Sequence, residues 1–201
     1  NMNMKESALI TEESTSRSVQ IDGMTVHYHE AGEGEPVIFL HSYNIGTTAW
    51  INFSRNIEVL SQHFRCIFMD LPNYGKTGPL VYNEPAHHPI ARTAIALMDE
   101  LGIPSAHFVG NSVGGTTALV CAIHYPDRVK KIVVGACHVS TSGDPYLIAN
   151  RPSEGGKMNR EASDNPTREN IRKNMLVHFE NDELVTEDLV EYLYNNANGH
   201  P

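Results

Sequence analysis

No stretch of this 201-residue chain is both long and apolar enough to span a bilayer, so no membrane helix is expected. Positive charge is in deficit: 15 Lys and Arg stand against 24 Asp and Glu, a formal net charge of −9, with no basic stripe. That balance argues against nucleic acid and anionic membranes as partners. Cysteine is scarce. Cys66, Cys121 and Cys137 share no metal-type spacing, and the first two fall in or beside apolar runs, where a thiol serves as a small core residue. An odd cysteine count without an apolar leader favours a reducing, cytoplasmic setting. Residues 1–17 are polar and read as a flexible tail. Phosphate-cradling signatures are missing too, since neither G-x-G-x-x-G nor a P-loop lysine occurs. No cofactor and no metal are implied. The adjacent His87 and His88 lack a carboxylate cluster and read as a helix boundary.

What remains is a chain with 40% hydrophobic residues, enough for one core. After the tail, candidate strands and helices alternate, which implies an α/β fold with a mostly parallel sheet covered on both faces. Val19–Ile21 and Thr25–His29 flank Asp22-Gly23, a pair suited to a tight hairpin turn. Val37–His41, Cys66–Asp70, His107–Gly110 and Lys131–Gly135 are apolar runs that read as buried strands. The spacing of Ile90, Ala94, Leu97, Met98 and Leu101 predicts a helix, and Gly102 is its left-handed cap. Another helix is predicted over Val113–His124.

Beyond Ser140 the composition changes. Residues 141–165, rich in Gly, Pro, Ser and Asn, read as a loop. Asn165-Pro166 then suggests an N-cap with proline in the first helical turn, and Ile171, Met175 and Phe179 mark one face. A further helix is predicted from Thr186, with Glu187 and Asp188 beside its N-terminal dipole. The expected division is a tail over 1–17, a core over 18–140 and two lid helices within 141–201.

The chemistry concentrates at Gly110-Asn111-Ser112-Val113-Gly114. An apolar strand enters this G-x-S-x-G run and a small-residue helix leaves it without a spacer, the setting of a nucleophile elbow. Such a turn strains the serine backbone and demands small neighbours two residues away, which Gly110 and Gly114 supply. Ser112 is the candidate nucleophile. The N–H of Val113, at the helix start, is one candidate oxyanion donor. The second is expected from the loop after Val37–His41, through the N–H of Tyr43 or of Ser42. His41 reads as an orienting loop residue.

These landmarks resemble the α/β-hydrolase family, and within it the meta-cleavage product hydrolases, which cut carbon–carbon bonds in dienoates from aromatic degradation. The resemblance covers residues 19–197. It rests on the elbow, on Trp50-Ile51-Asn52-Phe53-Ser54-Arg55-Asn56-Ile57, and on Met69-Asp70-Leu71-Pro72-Asn73-Tyr74-Gly75-Lys76-Thr77. Leu97-Met98-Asp99-Glu100-Leu101-Gly102-Ile103, His124-Tyr125-Pro126-Asp127-Arg128-Val129 and Asn165-Pro166-Thr167-Arg168-Glu169-Asn170 add to it. It implies a serine hydrolase for a small, partly apolar carbonyl substrate, either a dienoate or a carboxylic ester, with Asn111 ordering the polar network beside the nucleophile. Three positions depart from the family pattern. Ser42-Tyr43-Asn44 replaces a glycine-rich loop, Asn73 replaces a glycine, and Leu193 stands where an arginine would grip a carboxylate.

A serine nucleophile needs a base and an orienting acid. The resemblance implies that both follow the lid, so they are expected beyond Pro201, in a missing C-terminal segment or a second chain. His138 and Asp144 are weaker internal candidates. Without further strands, Lys131–Gly135 is expected to be an exposed apolar edge. Met175, Phe179, Leu189 and Tyr192 are candidate lid contacts, to substrate or to one another. The competing reading is a non-catalytic ligand-binding relative. A dehalogenase or epoxide hydrolase is disfavoured, because those carry aspartate at the elbow. A homo-oligomer is compatible with everything above.

Overall fold

The computed structural model describes residues 9–137 and 154–199. They fall into two compact units, the first within Asn1–His41 and Thr48–Cys137, the second within Ser42–Thr47 and His138–Pro201. His138 and Asp144 lie outside the described residues.

The first unit opens on one helical turn, α1 (Glu12–Thr15), where a tail through residue 17 was expected. The reason is a capping box: the Ser14 N–H donates to Thr11 Oγ1 at 3.0 Å and the Thr11 N–H to Ser14 Oγ at 2.9 Å. Strands β1 (Ser16–Ile21) and β2 (Met24–Ala31) form the expected hairpin. Its turn residues Asp22 and Gly23 both have positive φ, 50° and 81°, as a primed turn requires.

Then follow β3 (Glu35–Leu40), α2 (Ala49–Leu60), β4 (Phe64–Met69), α3 (His87–Glu100), β5 (Ala106–Asn111), α4 (Val113–His124) and β6 (Val129–Gly135). The sheet order is β1-β2-β4-β3-β5-β6, antiparallel from β1 to β4 and parallel from β4 to β6. Side chains alternate across it. Ile38, Leu40, Ile67, Met69 and Phe108 pack with α3 and α4, whereas Val37, Phe39, Cys66 and Phe68 pack with α2. Helix α3 ends as anticipated at Gly102, with φ 65°. The Gly102 N–H reaches Asp99 O and the Ile103 N–H reaches Met98 O, a Schellman closure. His87 and His88 begin the helix rather than precede it.

The chain leaves β3 toward β4 but leaves β5 toward β6, in the opposite direction along the sheet. The carboxyl ends of β3 and β5 therefore flank a topological switch point, the place where open α/β sheets leave a crevice for ligands. At the far side, β6 is the last strand. Among the described residues nothing pairs with its outer edge, and Val133 is 66% exposed, in line with the open edge read from the sequence.

The second unit contains α5 (Glu154–Asp164), α6 (Arg168–His178) and α7 (Glu187–Asn198). Helix α5 corrects the expectation of a loop to residue 165. Two adjacent glycines open it, and a Cβ on Gly155 would lie 3.2 Å from Val177 of α6, so that glycine allows close packing against that helix. The cap of α6 is Thr167, not Asn165, because the Thr167 hydroxyl accepts the Asn170 N–H at 3.2 Å. Thr186 caps α7 as expected. Ile171, Met175, Val190 and Leu193 form this unit's core, with Phe179, Leu189 and Tyr192 packed against it. Among the described residues no helix is long and apolar enough to cross a membrane.

Candidate active site

Ser112 occupies the step between β5 and α4 with φ 55° and ψ −119°, a conformation that favours glycine. Its N–H donates to Gly135 O at 2.8 Å, which anchors the turn to the end of β6. The Ser112 side chain makes no capping bond to α4. The open N–H groups of the first turn, that of Val113 foremost, are thus left at a positive helix end.

The small residues are enforced by backbone proximity. A Cβ on Gly110 would sit 2.3 Å from Gly114 O, and one on Gly114 would sit 2.1 Å from Leu40 O and 2.7 Å from His41 O. Gly114→Ala is expected to destabilise the protein. Alanine gains about 1 kcal/mol in helix propensity, but backbone carbonyls cannot swing aside as a flexible side chain can. Overpacking typically costs about 1–3 kcal/mol and here should reach the top of that range or exceed it. Urea denaturation should show a net loss of about 2 kcal/mol. An unchanged midpoint would mean that α4 does not approach β3 this closely.

His41 follows β3 and is fully buried. Its Nε2 accepts the Leu71 N–H at 2.9 Å, so that nitrogen carries no proton. Tyr74 meets the ring edge-on, with centroids 5.4 Å apart. Asn111 ends β5 opposite Gly135, exposed. Ser42 and Tyr43 belong to the second unit, and Tyr43 is exposed.

A polar hub that the sequence did not single out lies under the loop after β4. Asp70 is buried; its Oδ1 accepts the Ala49 N–H at 2.8 Å, at the start of α2. Oδ2 accepts from His27 Nδ1 at 2.7 Å and from the Lys76 N–H at 3.1 Å. Thr77 Oγ1 accepts the His27 N–H at 2.8 Å. Burial works to raise the Asp70 pKa, but the His27 hydrogen bond and the Ala49 amide hold it below its usual value. Gly75 makes room, since a Cβ there would lie 2.0 Å from Asp70 Oδ2. Next to the hub, His29 Nδ1 meets Thr15 Oγ1 at 2.9 Å, and burial followed by the His27 charge pushes its pKa down to about 4. Burial also raises the Cys66 and Cys121 thiols, to about 11 and about 12, which leaves both unreactive.

Comparison with known proteins decides the family. A model described as the alpha/beta hydrolase fold matches residues 35–198. The chain belongs to the α/β-hydrolase family. It is 34% identical, over 98% of its length, to a 2-hydroxy-6-oxononadienedioate/2-hydroxy-6-oxononatrienedioate hydrolase of Burkholderia vietnamiensis, of which it covers 69%. It is 36% identical, over 90% of its length, to a 2-hydroxy-6-oxo-6-phenylhexa-2,4-dienoate hydrolase of Comamonas testosteroni, of which it covers 65%. A meta-cleavage product hydrolase structure from Pseudomonas fluorescens superposes with a TM-score of 0.79 at 28% identity, over 90% of this chain and 63% of that one. This α/β-hydrolase chain therefore spans about two thirds of the length of the relatives it matches.

Two of the departures from the family pattern now have a physical account. Asn73 has φ 70°, in the left-handed region that suits glycine and, next to it, asparagine. Its side chain supports the turn, since Nδ2 donates to Leu80 O and Oδ1 accepts the Leu80 N–H, both at 2.8 Å. Leu193 is buried in the core of the second unit. Its carbonyl oxygen would lie 2.0 Å from a Cβ on Gly46, which has φ 65°. Sequence reading also missed Asn174, fully buried on α6. The signal was there: Ile171, Asn174 and Met175 fall at i, i+3 and i+4, one buried stripe.

Proposed function

We propose that this chain carries the nucleophile of a cytoplasmic serine hydrolase acting on a small, partly apolar carbonyl compound, with carbon–carbon hydrolysis of a 2-hydroxy-6-oxo-dienoate as the favoured reaction. The observation that carries the reading is the strained backbone of Ser112 at the switch point, held by glycines that admit no larger residue. Strain of this kind has a purpose where a hydroxyl must be presented to substrate. In the proposed reaction Ser112 Oγ attacks the ketone carbon and loses its proton to a base. The oxyanion is held by the Val113 N–H with that of Tyr43 or Ser42. Where the substrate is a dienol, the base first carries its 2-hydroxyl proton to C5, so that when the carbon–carbon bond breaks the electron pair passes into the 2-oxo group as a dienolate. The dienolate takes up a proton, and water hydrolyses the acyl-enzyme. His27, His29 and His41 are held in core hydrogen bonds to Asp70, Thr15 and Leu71. The base and its acid are accordingly proposed to come from outside these residues, in the same polypeptide or a second chain. Asn111 is assigned to order the polar network beside the nucleophile, and His41 to orient the loop after β3. Nucleic acid and membranes are not proposed as partners.

The experiment is labelling of the full polypeptide with a fluorophosphonate, with peptide mapping of the adduct. Attachment to Ser112, together with faster turnover of 2-hydroxy-6-oxo-6-phenylhexa-2,4-dienoate than of 4-nitrophenyl acetate, supports the proposal. The replacement of a glycine-rich loop by Ser42-Tyr43-Asn44 favours a second reading, a binding protein that keeps the pocket without catalysis. An unlabelled Ser112 decides for that one.

A further inference from the structure

Ser16, His27 and Asp70 lie in one hydrogen-bonded row within the first unit. Asp70 Oδ2 faces His27 Nδ1 at 2.7 Å, and a carboxylate can only accept, so the proton of that contact belongs to Nδ1. In the neutral ring Nε2 is then an acceptor. Ser16 Oγ lies 2.7 Å from it and donates its hydroxyl proton there, the only hydrogen bond that this oxygen makes among the described residues. His27 and Asp70 are buried, whereas Ser16, at the start of β1, is half-buried and reached by solvent. A hydroxyl on a base that a carboxylate orients is the arrangement that activates a serine. A neighbouring pair shows what the carboxylate adds. Thr15 Oγ1 meets His29 Nδ1 at 2.9 Å, but that hydroxyl is buried and also serves Thr11 O at 2.8 Å. No carboxylate is hydrogen-bonded to the His29 ring among the described residues, and a pKa of about 4 makes it a poor base. Four strand spacings, about 19 Å, separate β1 from β5, so His27 is not the base of Ser112.

We propose that Ser16 is a second nucleophile of this protein, activated by His27, which Asp70 orients, and that it accepts acyl or phosphonyl groups from small donors with a good leaving group. With an aryl ester, Ser16 Oγ attacks the carbonyl carbon and its proton passes to His27 Nε2. The carbon–oxygen bond to the aryl group breaks, the aryloxide leaves with that proton, and the acyl group stays on Ser16. With a fluorophosphonate the phosphorus is attacked and fluoride leaves in the same way. Asp70 holds the imidazolium formed in between, at 2.7 Å. Arg17 supplies positive charge beside the hydroxyl. Its Nη1 donates to Ser16 O at 2.7 Å and to Ser14 O at 3.1 Å, which keeps the guanidinium over the turn. Ser16 follows a helical turn rather than opening a helix, so it lacks the helix-start N–H groups that Ser112 has. One such donor is worth about 10²–10³ in rate, and Ser16 is slower by about that factor. A carbon–carbon bond, with its poorer leaving group, is not cleaved here.

The test is fluorophosphonate labelling of Ser112→Ala in the full polypeptide, with the adduct located by peptide mass spectrometry. Ser14 and Ser18, exposed on either side, are internal controls, because neither hydrogen-bonds an imidazole among the described residues. The adduct should form at Ser16 in preference to either control by about 10-fold or more, and about 100-fold more slowly than at Ser112 in the parent. His27→Gln should slow it by about 100-fold, the share of a general base, with a thermal melt to check folding. If that variant does not fold, the ratio among the three serines decides alone. No adduct at Ser16, or equal adducts at all three, overturns the proposal, as does unchanged labelling in a folded His27→Gln. The hydrolase reading is judged separately. A parent labelled at Ser112 alone leaves that reading intact and removes this one, and a parent labelled at Ser16 alone does the reverse.

Discussion

Ser112→Ala in the full polypeptide should lower kcat by about 10⁶-fold, the scale seen when a serine hydrolase loses its nucleophile, while leaving stability almost untouched. Alanine keeps the Cβ, so it inherits the φ of 55° and ψ of −119° and whatever those cost. Ser112→Gly should be equally inactive but more stable. A non-glycine residue in such a region stores about 1–3 kcal/mol. Glycine releases that strain and returns about 0.5–1 kcal/mol through its freer unfolded chain. The net gain over alanine should therefore be about 1 kcal/mol in urea denaturation, a clear difference between two equally dead proteins. Turnover above one part in a hundred in either variant would remove Ser112 from the chemistry. A glycine variant less stable than the alanine one would show that the elbow is unstrained.

Those features were legible because they are local. The elbow needs only a strand, five residues and a helix in unbroken succession, and Asp22-Gly23 needs only its own two dihedrals. Buried strands announced themselves through apolar runs such as Val37–His41, since both faces of a parallel sheet are covered. What stayed hidden depended on partners distant in sequence or on composition that misleads. Helix α5 contains Gly155, Gly156, Asn159 and Ser163, poor helix formers, and it is held by packing against α6. The turn α1 rests on one reciprocal cap within a polar stretch that shows no periodicity. Asp70 could be read as part of a family-like run but not as the partner of His27, 43 positions earlier. The hydrogen bond from Asn174 to Asn44 was equally invisible, because two asparagines carry no sequence signal of contact.

Asp70→Ala is expected to be the most damaging change in the core. Alanine leaves the His27 Nδ1–H and the Ala49 and Lys76 N–H groups without their acceptor, in a place from which water is excluded. A buried donor left unmade costs about 1–3 kcal/mol, and three are left here. In a protein of this size, each kcal/mol lowers Tm by about 2–4 °C, so the melt should fall by roughly 10 °C or more. Asp70→Asn should cost less but not be neutral. A carboxamide offers one acceptor oxygen where the hub uses two, so its NH₂ must face a donor on one side. The pH profile separates this group from its neighbour. Asp70 titrates below its ordinary value in the folded protein, so its contribution is complete above the unfolded pKa of about 4 and disappears only as pH falls through the folded one. His29 acts in a higher window. Its folded pKa of about 4 lies below the ordinary histidine value of 6.5, so the unfolded chain binds more protons between them and stability declines as pH drops from 6.5 toward 4. The deficit of Asp70→Asn relative to the parent should therefore be constant from pH 7 to 8 and still large at pH 5. In His29→Phe the decline between pH 6.5 and 4 should flatten. A deficit in Asp70→Asn that vanishes already at pH 6 would mean that the carboxylate is not the hub of this network.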